Sequence, residues 1–343
     1  MTVPTIPDLV STIIPVYNRP EMVRVAVDSV LAQTWRPIEI ILINDGSKDR
    51  TGEVLDALAA AHPEVIRVIH KDNGGPGLAR EAGRQIAQGE YIQYLDSDDW
   101  LLPNKFADQV AALHAHPECG IAYGTSMYVN NDGSVIDPVS RWTGRTFADV
   151  FPSFLVRRWW HTHTPLFRRA ISDAAGAWPR QRPEDWDLEA RMGALRPGLV
   201  HCGTTVSCQR DHPAPDRVSR GHMDAYLRDE AWFLPRLYDC AVRAGVAPDA
   251  PEMREFSRWA FMRARDLAGI GEFKLAGIAL NLSRQSWPRA LDTQIFRLLV
   301  LITGWSATTW LCSLYVRVHH SVSIARQKQN VPSRPTATRK SGK

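Results

Sequence analysis

Three carboxylates lie within four positions at the end of an apolar segment, where the sequence reads YLDSDDW from Tyr94 to Trp100. Residues 90–95 (EYIQYL) have the apolar character of a buried strand, and Asp96, Asp98 and Asp99 follow directly. Like charges this close raise one another's pKa unless a cation lies among them. We therefore expect this turn to hold a positively charged ligand, and to be electrostatically strained without one.

Polar residues also follow the three apolar segments that precede this one. They are Tyr17, Asn18 and Arg19 after the first segment, residues 44–47 (NDGS) after the second, and residues 71–77 (KDNGGPG) after the third. In open parallel sheets, ligands bind beyond the carboxyl ends of the strands. Each polar group alone is typical of a turn, but four such groups together predict a shared ligand site.

Three familiar ligand sites do not fit these residues. The first turn, PVYNRPEM, lacks the glycines of a dinucleotide-binding loop, a Walker A loop is absent, and an EF-hand starting at Asp96 would place Trp100 and Leu101 at its fifth and sixth positions. The remaining interpretation is Mg²⁺ or Mn²⁺ on the Asp96-x-Asp98 pair, completed by the phosphates of a ligand and by water. Arg80 lies at the same predicted edge, where its guanidinium fits a phosphate; a solvated helix residue paired with a glutamate is the alternative.

The elements that would position these residues alternate regularly along the first 115 residues. Apolar segments at 9–17, 38–43, 65–70 and 90–95 are separated by helical patterns at 21–34, 51–62 and 77–88, and another helix follows from Pro103. This alternation predicts an α/β fold with a mainly parallel sheet flanked by helices. Further on, the sequence predicts a β-hairpin around Asp132-Gly133, an irregular segment 141–183, a helix at 184–194, a strand at 199–209, and a helical extension from 222 to about 282.

Charge and cysteine content exclude several functional classes. The net charge of +4 comes from six Lys/Arg in residues 321–343; without them, 35 basic residues stand against 37 acidic ones, so a nucleic-acid-binding body is not indicated. Five cysteines without CxxC spacing argue against a disulfide framework and a structural zinc site. Residues 1–16 lack the pattern of a signal peptide. We therefore expect a cytoplasmic protein.

Residues 298–316 form a stretch of nineteen residues without a charge, close to the ~20 apolar residues of a typical membrane span. Threonines, serines and a glycine dilute it, so a helix packed on the domain is one interpretation and a span is another. The basic residues that follow favour a third, peripheral contact with the anionic inner face of the cytoplasmic membrane.

In order along the chain, five blocks resemble glycosyltransferase family 2, whose members have the GT-A fold and are inverting enzymes. The blocks are STIIPVYNRPEMVRVAVDSVLAQTW, IEIILINDGSKDRT, NGGPGLAREAG, GEYIQYLDSDDWLLP and PEDWDLEARM. The resemblance implies a GT-A domain over 1–220, with a nucleotide-binding half (1–118) and an acceptor half (119–220). The remaining predicted parts are a helical extension (221–290), an apolar helix (291–320) and a disordered basic tail (321–343).

What the resemblance implies for individual residues can be given position by position. A nucleoside-diphosphate sugar, with UDP favoured by Asp45, would be bound by residues at the four strand ends: Pro15, Tyr17, Asn18, Asp45, Asn73, Arg80, Asp96 and Ser97. Asp98 would ligate Mn²⁺ or Mg²⁺ together with Asp96, and His212 of QRDHP would approach the metal. Asp185 of the Glu184-Asp185 pair would be the general base, although an acidic helix start is the structural alternative. Trp159, Trp160 and His163 would face the acceptor, a glycan or lipid-linked acceptor of the cell surface; core or interface positions are the alternative for these residues.

Two other functions remain open from the sequence. A sugar nucleotidyltransferase would need a glycine-rich basic loop after the first strand, which PVYNRPE does not supply. A non-catalytic nucleotide-sugar-binding protein at the membrane is the other alternative, and the intact Glu184-Asp185 pair argues against it. Processive synthases of the family carry Q-x-x-R-W after the base, which is absent here. We therefore expect transfer of a single sugar.

Overall fold

The computed structural model describes residues 4–212 and 223–308. The strands are β1 (Ile6–Val16), β2 (Ile38–Asp45), β3 (Ile66–Lys71), β4 (Gly89–Tyr94), β5 (Trp100–Leu101), β6 (Ile121–Val129), β7 (Val135–Asp137), β8 (Leu166–Arg168) and β9 (Leu199–Arg210). The helices are α1 (Met22–Leu31), α2 (Thr51–Ala61), α3 (Pro76–Ile86), α4 (Lys105–Ala115), α5 (Arg169–Ala175), α6 (Glu184–Ala194), α7 (Met223–Arg243), α8 (Pro251–Gly269) and α9 (Phe273–Ser286). Residues 291–308 are also helical (α10), and Ser153–Leu155 form a 3-10 turn.

The strands of the described part form one nine-stranded sheet in the order β3-β2-β1-β4-β8-β6-β9-β5, with β7 paired to β6. The first four strands run parallel to one another, as do β6 and β9, and β8 joins the two groups by antiparallel pairing with β4 and β6. The predicted α/β class with a mainly parallel sheet is confirmed. The sheet brings the ends of β1, β2, β3 and β4 to one edge.

Alternation along the strands buries both faces of the sheet. In β2, Ile41 and Ile43 pack into one core with α3, α6, α7 and α8, while Ile40 and Leu42 pack into another with α1, α2 and α4. Successive side chains of a strand point to opposite faces, so continuous apolar segments are what a doubly covered sheet requires.

The predicted helices after residue 183 are confirmed, with α6 at 184–194 and the later helices separated by turns near 245–251 and 269–271. The irregular segment 141–183, however, contains β8 and α5, which the sequence pattern did not reveal.

The C-terminal helices have their own small core, to which α10 contributes Phe296. The opposite side of α10 exposes Leu291, Ile295, Leu298 and Ile302. No helix within residues 4–212 and 223–308 has the length and apolar character needed to cross a bilayer. Residues 309–316 of the uncharged stretch, the basic tail 321–343 and the predicted domain boundary at 220 all lie outside the described residues.

Candidate active site

The three aspartates after β4 differ in how far they reach into the crevice at the sheet edge. The side chains of Asp96 and Asp98 are 31% and 24% exposed, whereas that of Asp99 is 5% exposed and points inward. The backbone N–H of Asp99 donates to the carbonyl of Asp96 (3.1 Å), which closes a tight turn. Two of the three carboxylates, those of Asp96 and Asp98, therefore reach solvent.

Every one of these carboxylates has a partner in the protein. Asp96 accepts from the Arg80 guanidinium (2.5 Å), Asp98 lies 2.7 Å from His212 Nε2, and Asp99 lies 2.8 Å from His163 Nδ1. The expectation that no group in the protein faces these carboxylates is therefore wrong, whereas the expected repulsion persists at Asp99, whose pKa is raised to about 6 by burial and also by the charges of Asp98 and Asp96. The balancing groups come from α3, from the end of β9 and from the segment before β8, which are distant in the sequence.

Arg80 connects the aspartate turn to the Glu184-Asp185 pair. Its guanidinium is buried, bonds Asp96 on one side and Glu184 Oε1 (2.9 Å) on the other, and lies over the Trp178 ring at 4.8 Å. Burial and the neighbouring Asp185 raise the pKa of Glu184, while Arg80 opposes that rise. The two acidic motifs therefore border one crevice.

Asp185 sits in the first turn of α6 and keeps 24% of its side chain exposed. Arg158 Nη1 lies 2.9 Å from Asp185 Oδ2, and the same guanidinium forms two 2.7 Å hydrogen bonds to the buried Glu189. Burial opposes ionisation of Asp185, but the charges of Arg158 and then Arg80 outweigh it and lower the pKa of Asp185. The carboxylate is therefore ionised at neutral pH, as a general base must be.

Asp45, predicted to meet the nucleobase, closes the loop after β3. Its carboxylate accepts hydrogen bonds from Lys71 Nζ (2.6 Å) and from the backbone N–H groups of Gly74 (2.9 Å) and Gly75 (2.8 Å). A carboxylate has about four lone-pair positions, so one acceptor position remains on Oδ2. The structure thus gives Asp45 a loop-holding role, and its contact with a base stays a prediction.

The other residues of the predicted nucleotide site lie around this loop. Tyr17 and Asn73 are exposed and Pro15 is half-buried in β1. Asn18 has a left-handed φ of 50° and ties the first two strand ends together, because its Oδ1 accepts from Lys48 N (2.8 Å). Ser97 is buried in the turn. The structure brings these residues to one edge of the sheet, and their contact with a nucleotide-sugar donor stays a prediction.

The predicted acceptor contacts of Trp159, Trp160 and His163 are corrected by the structure. All three side chains are fully buried. Trp159 packs on Phe147 with ring centroids 4.2 Å apart, and Trp160 Nε1 donates to Glu189 Oε2 (2.8 Å). Trp160 thus has both an apolar pocket and an acceptor, which suits a core indole, whereas the buried Nε1 of Trp159 has no partner among the described residues. Neither tryptophan faces a substrate.

Arg158 and Trp178 are the important neighbours that sequence reasoning missed. Arg158 stands in the sequence RRWW, residues 157–160. Its carboxylate partners lie 27 and 31 residues further along the chain. The one available signal was an arginine among buried tryptophans, which requires a carboxylate partner because a charge is rarely buried unpaired.

Asp98 and His212 are the described side chains whose chemistry suits a divalent cation at this crevice. In the part of the chain that the structure describes, no group of three His, Cys, Asp or Glu side chains is arranged to hold an ion. Asp98 Oδ2 and His212 Nε2, with Asp96 nearby, form a smaller ligand set, and the buried Nδ1 of His212 has no partner among the described residues. Mg²⁺ commonly takes one or two carboxylates and completes its shell with phosphates and water, and these side chains are of that type.

Residues 11–173 match the sequence profile described as Glycosyl transferase family 2. This part of the chain is similar to members of that family. A glycosyltransferase of Rickettsia bellii described as uncharacterized is 43% identical over 129 residues, covering 37% of this chain and 18% of its own length. The chondroitin synthase of Pasteurella multocida is 36% identical over 159 residues, covering 44% of this chain and 16% of its own length. The chain thus matches less than a fifth of the length of these two relatives.

Two solved structures resemble the fold over most of the chain. Residues 1–349 of S. aureus TarS, in complex with UDP-GlcNAc, superpose with a TM-score of 0.62 at 16% identity, covering 88% of each chain. The mannosyltransferase PcManGT of Pyrobaculum calidifontis, in complex with GDP-Man and Mn²⁺, gives a TM-score of 0.51 at 17% identity, covering 90% of this chain and 85% of its own. These likenesses show a GT-A fold.

Proposed function

We propose that this protein transfers one sugar from a nucleoside-diphosphate sugar, UDP-linked, to an acceptor hydroxyl with inversion at the anomeric carbon. The observation that carries the proposal is the pair of hydrogen bonds from Arg80 to Asp96 and Glu184. They hold a metal-type carboxylate turn and a Glu-Asp pair around one crevice in a family 2 domain. The ligands named for the fold relatives, UDP-GlcNAc and GDP-Man, are both nucleoside-diphosphate sugars.

In this mechanism Asp185 removes the proton from the attacking hydroxyl. Its ionisation is secured by Arg158 and Arg80, and its remaining exposure leaves it open to an acceptor. Direct displacement needs one positioned base, and the neighbouring Glu184 is held by Arg80, so Glu184 acts as a positioning residue.

A divalent cation, Mn²⁺ or Mg²⁺, would be held by Asp98 and His212 with Asp96 beside them. When bound, it would neutralise charge on the diphosphate leaving group. Burial opposes ionisation of Asp98, but the hydrogen bond from His212 lowers the pKa of this carboxyl group. The carboxylate is therefore available to a cation at neutral pH.

The test is release of nucleoside diphosphate from a panel of nucleotide sugars, with Mn²⁺ or Mg²⁺, with and without an envelope extract as acceptor. We expect Asp185→Asn to lose transfer by about 10²-fold or more, as expected for removal of a general base, while retaining nucleotide binding. Asp98→Ala should also lose the metal-dependent part of nucleotide affinity. Asp239→Asn, an exposed position on α7, is the matched control. Full activity of Asp185→Asn would remove the base assignment.

We also propose peripheral contact with the inner face of the cytoplasmic membrane, consistent with a role in cell-surface glycan or glycolipid synthesis. Leu291, Ile295, Leu298 and Ile302 form an exposed stripe on α10 at helical spacing, and the sequence beyond it is basic. An apolar stripe next to cations fits an anionic bilayer surface. We expect co-sedimentation with phosphatidylglycerol vesicles that is lost in Leu298→Gln/Ile302→Gln and absent with phosphatidylcholine; binding to neither vesicle would contradict the proposal.

A further inference from the structure

Two arginines lie over the indole of Trp142, and a third arginine precedes this tryptophan in the chain. The guanidinium carbons of Arg145 and Arg157 lie 4.6 and 5.1 Å from the centroid of Trp142, and Arg141 precedes that tryptophan directly. Arg145 and Arg157 are exposed, whereas the guanidinium of Arg141 is partly buried by its contact with the Trp160 carbonyl. We call Arg141, Arg145 and Arg157 the arginine cluster.

Arg141 is held in place by the backbone. Its φ of 57° is in the left-handed region, which arginine seldom adopts. Its Nη1 donates to the carbonyls of Arg158 (2.8 Å) and Trp160 (3.0 Å). The guanidinium is thus fixed before any ligand arrives, which lowers the entropy lost on binding.

The arginine cluster has no carboxylate partner within ion-pair distance among the residues that the structure describes, in contrast to Arg158, which pairs with Asp185 and Glu189. Desolvation of the Arg141 guanidinium, and then the charges of Arg158 and Arg157, lower the pKa of Arg141 to about 10. Cations concentrated in this way repel one another, and a bound anion would relieve that repulsion.

The cluster lies beside the proposed base. The backbone N–H of Trp142 donates to the carbonyl of Trp159 (3.3 Å), so the turn that carries Arg141 lies against the segment that carries Arg158. Arg158 bonds Asp185, and the charge of Asp185 acts on Arg141. An acceptor whose hydroxyl reaches Asp185 would therefore pass the cluster.

We propose that the arginine cluster binds an anionic group of the acceptor, a phosphate or a carboxylate, so that the substrate is an anionic glycan. Guanidinium groups recognise both anions through bidentate hydrogen bonds. The inference rests on the proposed function in taking Asp185 as the base beside which the acceptor binds.

Equilibrium binding of three fluorescein-labelled probes to the full chain tests this proposal without any turnover. The probes are polyphosphate, oligogalacturonate and a neutral maltooligosaccharide. The variant Arg141→Gln/Arg145→Gln/Arg157→Gln removes the cluster, and Arg254→Gln/Arg258→Gln/Arg265→Gln on α8 removes the same net charge elsewhere. Far-ultraviolet circular dichroism and unfolding curves establish that both variants fold.

We expect one or both anionic probes to bind, the maltooligosaccharide not to bind, and the cluster variant alone to lose at least about tenfold in affinity, consistent with the loss of charge-assisted hydrogen bonds. The anionic probe that binds more tightly identifies the group as phosphate or carboxylate. Equal losses in the two variants would show unspecific charge attraction and overturn the proposal, as would absence of binding or equal binding of the neutral probe. Because no sugar is transferred, a failed transferase assay leaves this result independent.

Discussion

Replacing Arg80 by methionine separates the electrostatic role of this residue from its packing. Methionine retains an apolar stem that packs on Trp178, but Asp96 and Glu184 lose the guanidinium that both of them bond. Breaking a buried ion pair by removing one partner costs about 3–5 kcal/mol. Asp96 is 31% exposed and can be solvated, whereas Glu184 is 10% exposed. We therefore expect a loss near the lower limit, about 3 kcal/mol in unfolding free energy.

The loss should depend on pH because the carboxylate left behind can take up a proton. Burial and Asp185 already raise the pKa of Glu184, and Arg80 is the group that opposes them. A carboxyl group with a higher pKa in the folded than in the unfolded state destabilises the fold once it is ionised, and the penalty disappears as pH falls through the folded-state pKa. The deficit of Arg80→Met should therefore be smaller at pH 5 than at pH 8.

Urea unfolding of four proteins at both pH values measures these effects: wild type, Arg80→Met, Arg80→Met/Glu184→Gln and Arg24→Met. Glu184→Gln removes the unpaired charge and should restore most of the lost stability. Arg24 is exposed, and its ion pair with Glu21 is weak because the two groups are 4.0 Å apart in solvent. Its replacement should therefore change the unfolding free energy by less than about 0.5 kcal/mol. If the double variant is as unstable as Arg80→Met, or if the deficit is the same at both pH values, the electrostatic argument is refuted and packing on Trp178 is the cause.

Two further predictions concern tight packing and buried charge. Gly77→Ala would place a Cβ 2.0 Å from the backbone carbonyl oxygen of Pro179 and should destabilise the protein by at least about 1–3 kcal/mol. In the control variant Gly269→Ala the new Cβ meets no atom within 4 Å, so this variant should be neutral or stabilised by up to about 1 kcal/mol. Urea unfolding of both variants measures the difference. Burial lowers the pKa of Lys105 to about 7, so between that value and the higher value of the unfolded chain only the unfolded state holds the proton. Wild type should therefore gain about 1.4 kcal/mol per pH unit over Lys105→Met in the middle of this range, and a difference that stays constant between pH 7.5 and 9.5 would contradict the burial of a charge at this position. Lys274→Met, at an exposed position, is the control.

Sequence reasoning succeeded where the structural determinants are local. The first four strands are continuous apolar segments because both faces of the sheet are covered, and the turns between the C-terminal helices carry glycine or proline. Sequence reasoning missed β8, a strand of three residues that is stabilised by pairing with β4 and β6. A strand that short has no recognisable period, and its partners lie far away along the chain.

The site shows the same division between local and distant determinants. The carboxylates at the end of β4 were identifiable by their position, because strand ends meet at one edge. Their partners were not, because the Arg80–Glu184 contact spans 104 residues and the Asp98–His212 contact spans 114. Trp159 and Trp160 were placed at the acceptor by the family resemblance, whereas tertiary packing buries both indoles.

The inward-facing Asp99 explains why this turn contains a third carboxylate at all. Asp99 Oδ1 accepts from the backbone N–H of Arg210 (2.9 Å), and β5 pairs with β9 immediately beside it through Trp100 and Cys208. Burial, partly offset by His163, raises the pKa of Asp99 to about 6. Burial of this carboxylate is unfavourable, but its hydrogen bond to Arg210 fixes the end of β9, two residues before His212. His212 Nε2 lies 2.7 Å from Asp98, so the strand end that Asp99 holds also determines where His212 meets Asp98. Asp99 is therefore a positioning residue for the proposed metal ligands, while Asp96 and Asp98 remain open to the crevice.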